Sequence, residues 1–420
     1  MNETTKEFIV YKRRWLVLFS FVCVNAVMQY VWCTFSSITT DAWKFYGFKD
    51  AASGEAGISM LTMIIMVGMI TLSVPASALF HKIGWCKSVA IAGIILAFFT
   101  CLRGFIGHTY VGLIICTIGC ACTQPFIINA FGLIAAYWFP PKERGVANGW
   151  GMVSTYIGVV MAQFGVPWLM NSFNMDIPQV LKVYGFLSIP MILFFLIVAR
   201  EKPITPPCDE ELIERVDFKA GMKALMKNKR FINALIVFWI MQGIYFSFTT
   251  LIEPIMQYLN NNSLDSMFIG TMGTMITVTG TIATLALPII SDHSKSKKRL
   301  PMIRICQVGA LLGLVLVMFG HTIGLLLTAA CFLGVFLTGI TPVLMVFGYE
   351  TAYPVSEGIT ESLMQLGANG IGLVYLLFIN GVFKGHHMGT MIFFAIGMAV
   401  CIIMTGFSKE ASLKERMLEK

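Results

Sequence analysis

Charge is what this sequence has least of. Only 12% of its 420 residues are Asp, Glu, Lys or Arg while 57% are hydrophobic, and a mean hydropathy of +0.77 is more apolar surface than a soluble globule can hide from water. The net charge of +8 leans basic, but the basic residues are scattered over short segments between apolar runs, which excludes a nucleic-acid partner. The constellations that carry catalysis are also missing. No nucleophile, base and acid stand at catalytic spacing, and no nucleotide loop or metal-ligand spacing occurs, so neither an enzyme nor a cofactor is expected. Most of the eleven cysteines (Cys23, Cys101, Cys116, Cys120, Cys122 and Cys331 among them) fall inside apolar runs, so no disulfide framework or zinc site is implied. No cleavable leader is expected either: the first apolar run is too long for a signal-peptide core and no small-residue cleavage site follows it.

What remains is a chain built to live in a lipid bilayer. A hydrocarbon core of ~30 Å needs roughly 20 apolar residues per crossing. Twelve such spans are expected, at about 14–38, 57–80, 86–105, 109–136, 145–170, 180–200, 231–258, 267–290, 300–320, 323–350, 357–383 and 388–407. This is an all-α membrane protein of twelve transmembrane helices. Lys and Arg collect on the cytoplasmic side of membrane proteins. With the N-terminus inside, 25 of the 30 basic residues fall in inside segments, and only Lys44, Lys49, Arg103, Lys182 and Lys384 do not. Both termini are therefore expected in the cytoplasm of a multi-pass plasma-membrane protein. The one linker-like stretch is 201–229, Pro-rich and then charged; its later part, Leu212 to Met226, could lie as an amphipathic helix on the membrane surface.

The two halves of the chain repeat. Phe139-Pro140-Pro141-Lys142-Glu143 and Tyr353-Pro354-Val355-Ser356-Glu357 lie 214 residues apart, each between long apolar runs. The loop carrying His81, Lys82 and Gly84 matches the one carrying Asp292 and the basic cluster Lys295, Lys297, Lys298 and Arg299, at an offset of 211. Domains are accordingly drawn as a six-helix half at 1–200, a cytoplasmic linker at 201–229 and a second six-helix half at 230–420. This loop pattern resembles the major facilitator superfamily, in which the acid and bases form a cytoplasmic latch between helices. Further runs sharpen the resemblance. Tyr11-Lys12-Arg13-Arg14-Trp15 leading to Val24-Asn25-Ala26, Gln124 with Trp138-Phe139, Gly243-Ile244-Tyr245-Phe246-Ser247, Thr338-Gly339-Ile340-Thr341-Pro342 and Glu350-Thr351-Ala352 are similar to the feline leukaemia virus subgroup C receptor-related transporters. The resemblance implies carriage of choline and related amines, with haem export proposed for some members.

In such folds the substrate site lies near the bilayer midplane. Polar and aromatic residues halfway along the spans are the candidates: Gln29, Tyr30 and Trp32 in span 1, Gln124 and Asn129 in span 4, Gln163 in span 5, Gln242, Tyr245 and Phe246 in span 7, and Gln365 and Asn369 in span 11. A lone amide in hydrocarbon is as readily explained by interhelical hydrogen bonding; a set at one depth points to a shared wet cavity. Aromatic faces attract a quaternary ammonium, and the resemblance implies a box of a span 1 tryptophan and a span 7 tyrosine. Here those positions read Tyr30 and Phe246, with Trp32 and Tyr245 beside them. Ordinary packing is the alternative for all four.

No basic residue sits at midplane, which favours cationic, zwitterionic or neutral solutes. Ionisable residues inside a membrane are functional candidates, and Glu253 before Pro254 is the foremost, as a proton-coupling group, an attraction for a cation, or simply a wetted interfacial acid. His81, Lys82, Glu143, Arg144, Asp292, Lys295, Glu350 and Glu357 are assigned to a cytoplasmic gate. The expected protein is a monomeric secondary transporter of a small organic amine, working by alternating access. A proton-coupled carrier of a small carboxylate is the runner-up, and a haem transporter or non-transporting receptor the third reading; His386-His387 is the pair that could touch haem iron.

Overall fold

The computed structural model describes residues 10–140, 143–203, 205, 223–293, 298–352, 355 and 357–408. Most of the expected surface helix Leu212 to Met226 lies outside them, as do Pro141, Lys142, Tyr353, Pro354 and Ser356 of the paired motifs. Among the described residues the structure is helical with no strand, and twelve helices are long and apolar enough to cross a membrane. These spans are Arg13–Cys33, Ala51–Phe80, Trp85–Ile106, Tyr110–Trp138, Gly149–Phe173, Ile177–Val198, Lys229–Thr250, Ser266–Ser291, Leu300–Phe319, Ile323–Ala352, Thr360–Phe383 and His387–Phe407. Large apolar side chains such as Val74, Phe98, Ile197, Phe319 and Phe407 stand exposed, as a surface solvated by lipid rather than water requires.

Two expected boundaries fail, for local reasons. Span 1 was expected to reach residue 38 but ends at Cys33. There the Ser36 hydroxyl donates to the Cys33 carbonyl and the Thr39 hydroxyl to that of Phe35, so side chains satisfy the freed helix end and the chain turns into a short helix, Thr39–Phe45. Span 7 was expected to run unbroken to residue 258. It stops at Thr250, and a separate helix begins at Ile252 with Glu253 in its first turn and Pro254 third, where a residue without an N–H does no harm.

Spans 4 and 10 are each interrupted inside the membrane. Span 4 comprises Tyr110–Ala121, Gln124–Ile128 and Phe131–Trp138. Span 10 comprises Ile323–Phe332, a wider π-type turn over Leu333–Thr338, and Thr341–Ala352. In both, the segment after the break opens on a polar residue followed by proline, Gln124-Pro125 and Thr341-Pro342, which lie 217 residues apart, close to the offsets of the repeated loops. Irregular backbone at membrane depth persists only where protein buries it or a wet cavity lies alongside.

The chain forms two compact units. The first comprises Met1–Trp32, Gly68–Gly158 and Asp176–Arg215. Its spans 1 and 5 approach so closely at Gly158 that a Cβ there would sit 2.4 Å from the Ala26 carbonyl oxygen, the close approach that only glycine allows between membrane helices. Glu201 closes the same unit on the Lys- and Arg-rich side. Its carboxylate accepts the backbone N–H groups of Trp85 and Cys86 at 2.9 and 2.8 Å, and its carbonyl accepts the Trp85 indole N–H at 2.9 Å. A carboxylate thus caps the N-terminus of span 3, satisfying two orphan donors at the positive end of the helix dipole. The second unit comprises Cys33–Val67, Val159–Met175 and Val216–Lys420. In it, a Cβ on Gly270 of span 8 would meet the Gln163 carbonyl oxygen of span 5, and the Thr277 hydroxyl donates to Gln163 Oε1 at 3.3 Å.

Gly84 is needed for the Glu201 cap. Its φ is +91° and a Cβ would lie 2.6 Å from the Glu201 carboxylate. Gly84→Ala is expected to destabilise the protein by about 1–3 kcal/mol, read as a lowered melting temperature in detergent, whereas Gly132→Ala, where a Cβ meets nothing, should leave it within about 1 kcal/mol.

Candidate substrate site and gates

In the first unit the span 1 residues are not equivalent. Gln29 is buried and donates from Nε2 to Asn25 Oδ1 at 3.2 Å, and Asn25 in turn donates to the hydroxyls of Ser154 and Thr155 at 2.7 and 3.1 Å. Tyr30 is fully buried; its hydroxyl donates to the Tyr184 carbonyl of span 6 at 2.8 Å and its ring packs on that of Tyr184 at 4.8 Å. Trp32 is buried one residue before the end of the helix. Gln124 is the most telling of the set. It opens the middle segment of the broken span 4, is 6% exposed, and its Oε1 accepts no hydrogen bond among the described residues. An unmet buried carbonyl costs about 1–3 kcal/mol, so the oxygen stands ready for a donor. Asn129 is half-buried and ends the same segment.

In the second unit spans 7 and 11 carry the remaining candidates. The Thr341 hydroxyl at the break of span 10 donates to Gln242 Oε1 at 3.3 Å. Tyr245 and Phe246 pack ring to ring at 5.7 Å, with Phe246 beside Gly372 of span 11. Asn369 donates to the backbone carbonyl of Gln365 at 3.0 Å, which leaves the half-buried Gln365 side chain apart from that bond. Trp239, absent from the expected set, lies over Gly367 and donates its indole N–H to the Met364 carbonyl at 3.1 Å. It stands seven residues before Phe246, two helical turns away on the same face, and that spacing is the signal that could have found it.

Each unit holds an arginine–carboxylate pair. Arg14 donates from Nε and Nη2 to the two oxygens of Glu143 at 3.0 and 3.3 Å, with its guanidinium over Trp15 and Phe139. Arg299 donates to Glu350 at 2.8 Å, with both side chains about 15% exposed. Lys82 is exposed. Lys295 lies outside the described residues, as do the side chains of His81, Arg144, Asp292 and Glu357.

Glu253 is fully buried and its Oε2 accepts both the backbone N–H and the hydroxyl of Thr40, at 3.0 and 2.9 Å. Nearby, His387 Nε2 and Glu55 Oε2 are 2.8 Å apart in a buried pair, with the Tyr258 ring edge-on to the imidazole at 5.7 Å. The Asn380 amide donates to the Ser59 hydroxyl at 2.8 Å.

The sequence model of the Major Facilitator Superfamily matches residues 14–375. The chain belongs to that superfamily. Among curated relatives, it is 24% identical to the human choline/ethanolamine transporter FLVCR2 over 436 residues, covering 98% of this chain and 80% of that protein. It is 26% identical to the choline/ethanolamine transporter FLVCR1 of Mus terricolor, covering 94% of this chain and 75% of the relative. Among solved structures, it shares the fold of a bacterial homologue of the human lysosomal transporter Spinster, in an inward-facing and unoccupied conformation, with a TM-score of 0.67 at 13% identity and 95% and 96% of the two chains covered.

The Arg299–Glu350 pair is largely withdrawn from water, so removing one partner strands a buried charge. We expect a double-mutant cycle with Arg299→Gln and Glu350→Gln to give a coupling energy of about 1–3 kcal/mol from melting in detergent. The more exposed Arg14–Glu143 pair should give about 1 kcal/mol or less. Equal and negligible couplings at both sites would show the pairs to be incidental.

Proposed function

We propose that this protein is a secondary transporter of a small amine carrying one positive charge, of the choline and ethanolamine class, working by alternating access. The observation that carries the reading is the chemistry of the candidate set. It consists of uncharged acceptors and aromatic faces, with the unmet oxygen of Gln124 among them and no lysine or arginine. A cation with N–H or O–H donors suits such a surface, because carbonyl oxygens and ring faces each stabilise positive charge and the set offers no charged partner to an anion. The names of the relatives, matched along nearly the whole chain, support the same solute class. The proposed substrate-binding residues are Gln29, Tyr30, Trp32, Gln124 and Asn129 of the first unit, Tyr30 through its packing on span 6, and Gln242, Tyr245, Phe246, Gln365 and Asn369 of the second. Residues 1–200 and 230–420 are the proposed moving halves, joined by 201–229. The proposed gate at the Lys- and Arg-rich, cytoplasmic side holds His81, Lys82, Glu143, Arg144, Asp292, Lys295, Glu350 and Glu357. A monomer in the plasma membrane with both termini inside completes the reading.

A cation carried alone is driven by the membrane potential, at about 2.3 kcal/mol per charge per 100 mV. Proteoliposomes holding a 100 mV inside-negative potassium diffusion potential should therefore accumulate radiolabelled choline or ethanolamine up to roughly fifty-fold. No uptake of any amine across a broad panel sinks the proposal. Trp32→Ala and Tyr245→Ala should each lower apparent affinity for choline by about five- to thirty-fold if their rings face the ammonium. Buried Glu253 supports a second reading, in which a proton moves with the solute. Glu253→Gln flattens the pH profile of transport on that reading and leaves it unchanged on the first.

A further inference from the structure

The amide chain that runs from span 5 to span 1 has a direction. Ser154 donates its single hydroxyl proton to the Gly151 backbone carbonyl, one turn earlier on span 5. Towards Asn25, at 2.7 Å, its oxygen can therefore only accept, and Asn25 must present Nδ2 on that side. The second Nδ2 proton goes to Thr155 at 3.1 Å. Asn25 thus faces Gln29 with Oδ1, and across 3.2 Å Gln29 must answer with Nε2. Its Oε1 makes no hydrogen bond among the described residues. Asn25 and Ser154 have no exposed surface and Gln29 has 2%, so water does not scramble this order. Gly158 keeps the two spans close enough for the chain to form.

We infer that Asn25, fixed in its turn by Ser154, is a positioning residue that holds the Gln29 amide with its carbonyl oxygen outward, making span 1 selective for solutes that carry an N–H or O–H donor. The inference rests on the amine-transport reading and adds to it a rank order. A primary ammonium bearing a hydroxyl is preferred to a fully methylated cation of like size and charge, because only the former satisfies the fixed acceptor. Asn25 does not touch the solute on this account. Without it, Gln29 can turn either end of its amide outward, and the discrimination falls while the aromatic contacts stay.

The test is a ratio of transport rates, ethanolamine over tetramethylammonium, measured in proteoliposomes with equal amounts of folded protein. Wild type should favour ethanolamine. Asn25→Leu and Ser154→Ala should each lower the ratio about fivefold, the effect of one hydrogen bond, and Gln29→Met should lower it at least as far. Ser154→Ala removes one oxygen, away from Gln29, and keeps the test open if Asn25→Leu does not fold. A ratio unchanged in Ser154→Ala while Gln29→Met reduces it overturns the relay, since a merely structural contact would lower both rates together. A ratio unchanged in Gln29→Met overturns the role of Gln29. A wild type that moves neither cation overturns instead the transport reading on which the inference stands.

Discussion

A polar group in hydrocarbon must find its partner inside the protein, and most of the structure follows from that demand. It makes every crossing a helix. It also explains what happens wherever a helix stops. At the end of span 1 a serine hydroxyl takes up the Cys33 carbonyl, and just beyond it a threonine hydroxyl takes up that of Phe35. At the start of span 3 a carboxylate takes up the freed N–H groups. Arg103 does similar service deep in the first unit, where Nη1 donates to the Val31 carbonyl near the end of span 1, at 3.3 Å. The few places where the demand is left unmet, such as Gln124 Oε1, acquire meaning by contrast.

The interruptions of spans 4 and 10 belong to the same logic. Proline removes a donor and clashes with the preceding turn, so Pro125 and Pro342 each open a new segment rather than continue an old one. Both breaks place a hydrogen-bonding side chain, Gln124 or Thr341, at the first position afterwards. Thr341 uses its hydroxyl on Gln242, whereas the Gln124 oxygen meets no donor among the described residues. Two repeat-related positions, each opening a segment before a proline, have taken different tasks.

The spans were legible because a run of some 20 apolar residues has only one stable use, and each of the twelve appears within several residues of its expected place. Their ends were less legible where a hydroxyl or a proline two or three residues away decided the matter, as at Cys33 and Thr250. Of the candidate site, amides such as Gln124 announce themselves by being polar in an apolar run. What each amide does depends on partners one or more spans away, which spacing cannot show. Asn25 reads only as part of a family-like run until Ser154 and Thr155 are seen beside it. Tyr30 reads as a cation-binding ring until its hydroxyl is found on span 6. Glu55 and His387 carry no mutual signal, since 332 residues separate them.

That separation also has a consequence in time. A ribosome adds about 5–20 residues per second, so Glu55 emerges roughly 17 to 66 s before His387 exists. Throughout that interval the carboxylate has no imidazole to meet. The His387–Glu55 contact therefore belongs to the last stage of assembly. A chain cut short before span 12 would lack the imidazole that this acid meets.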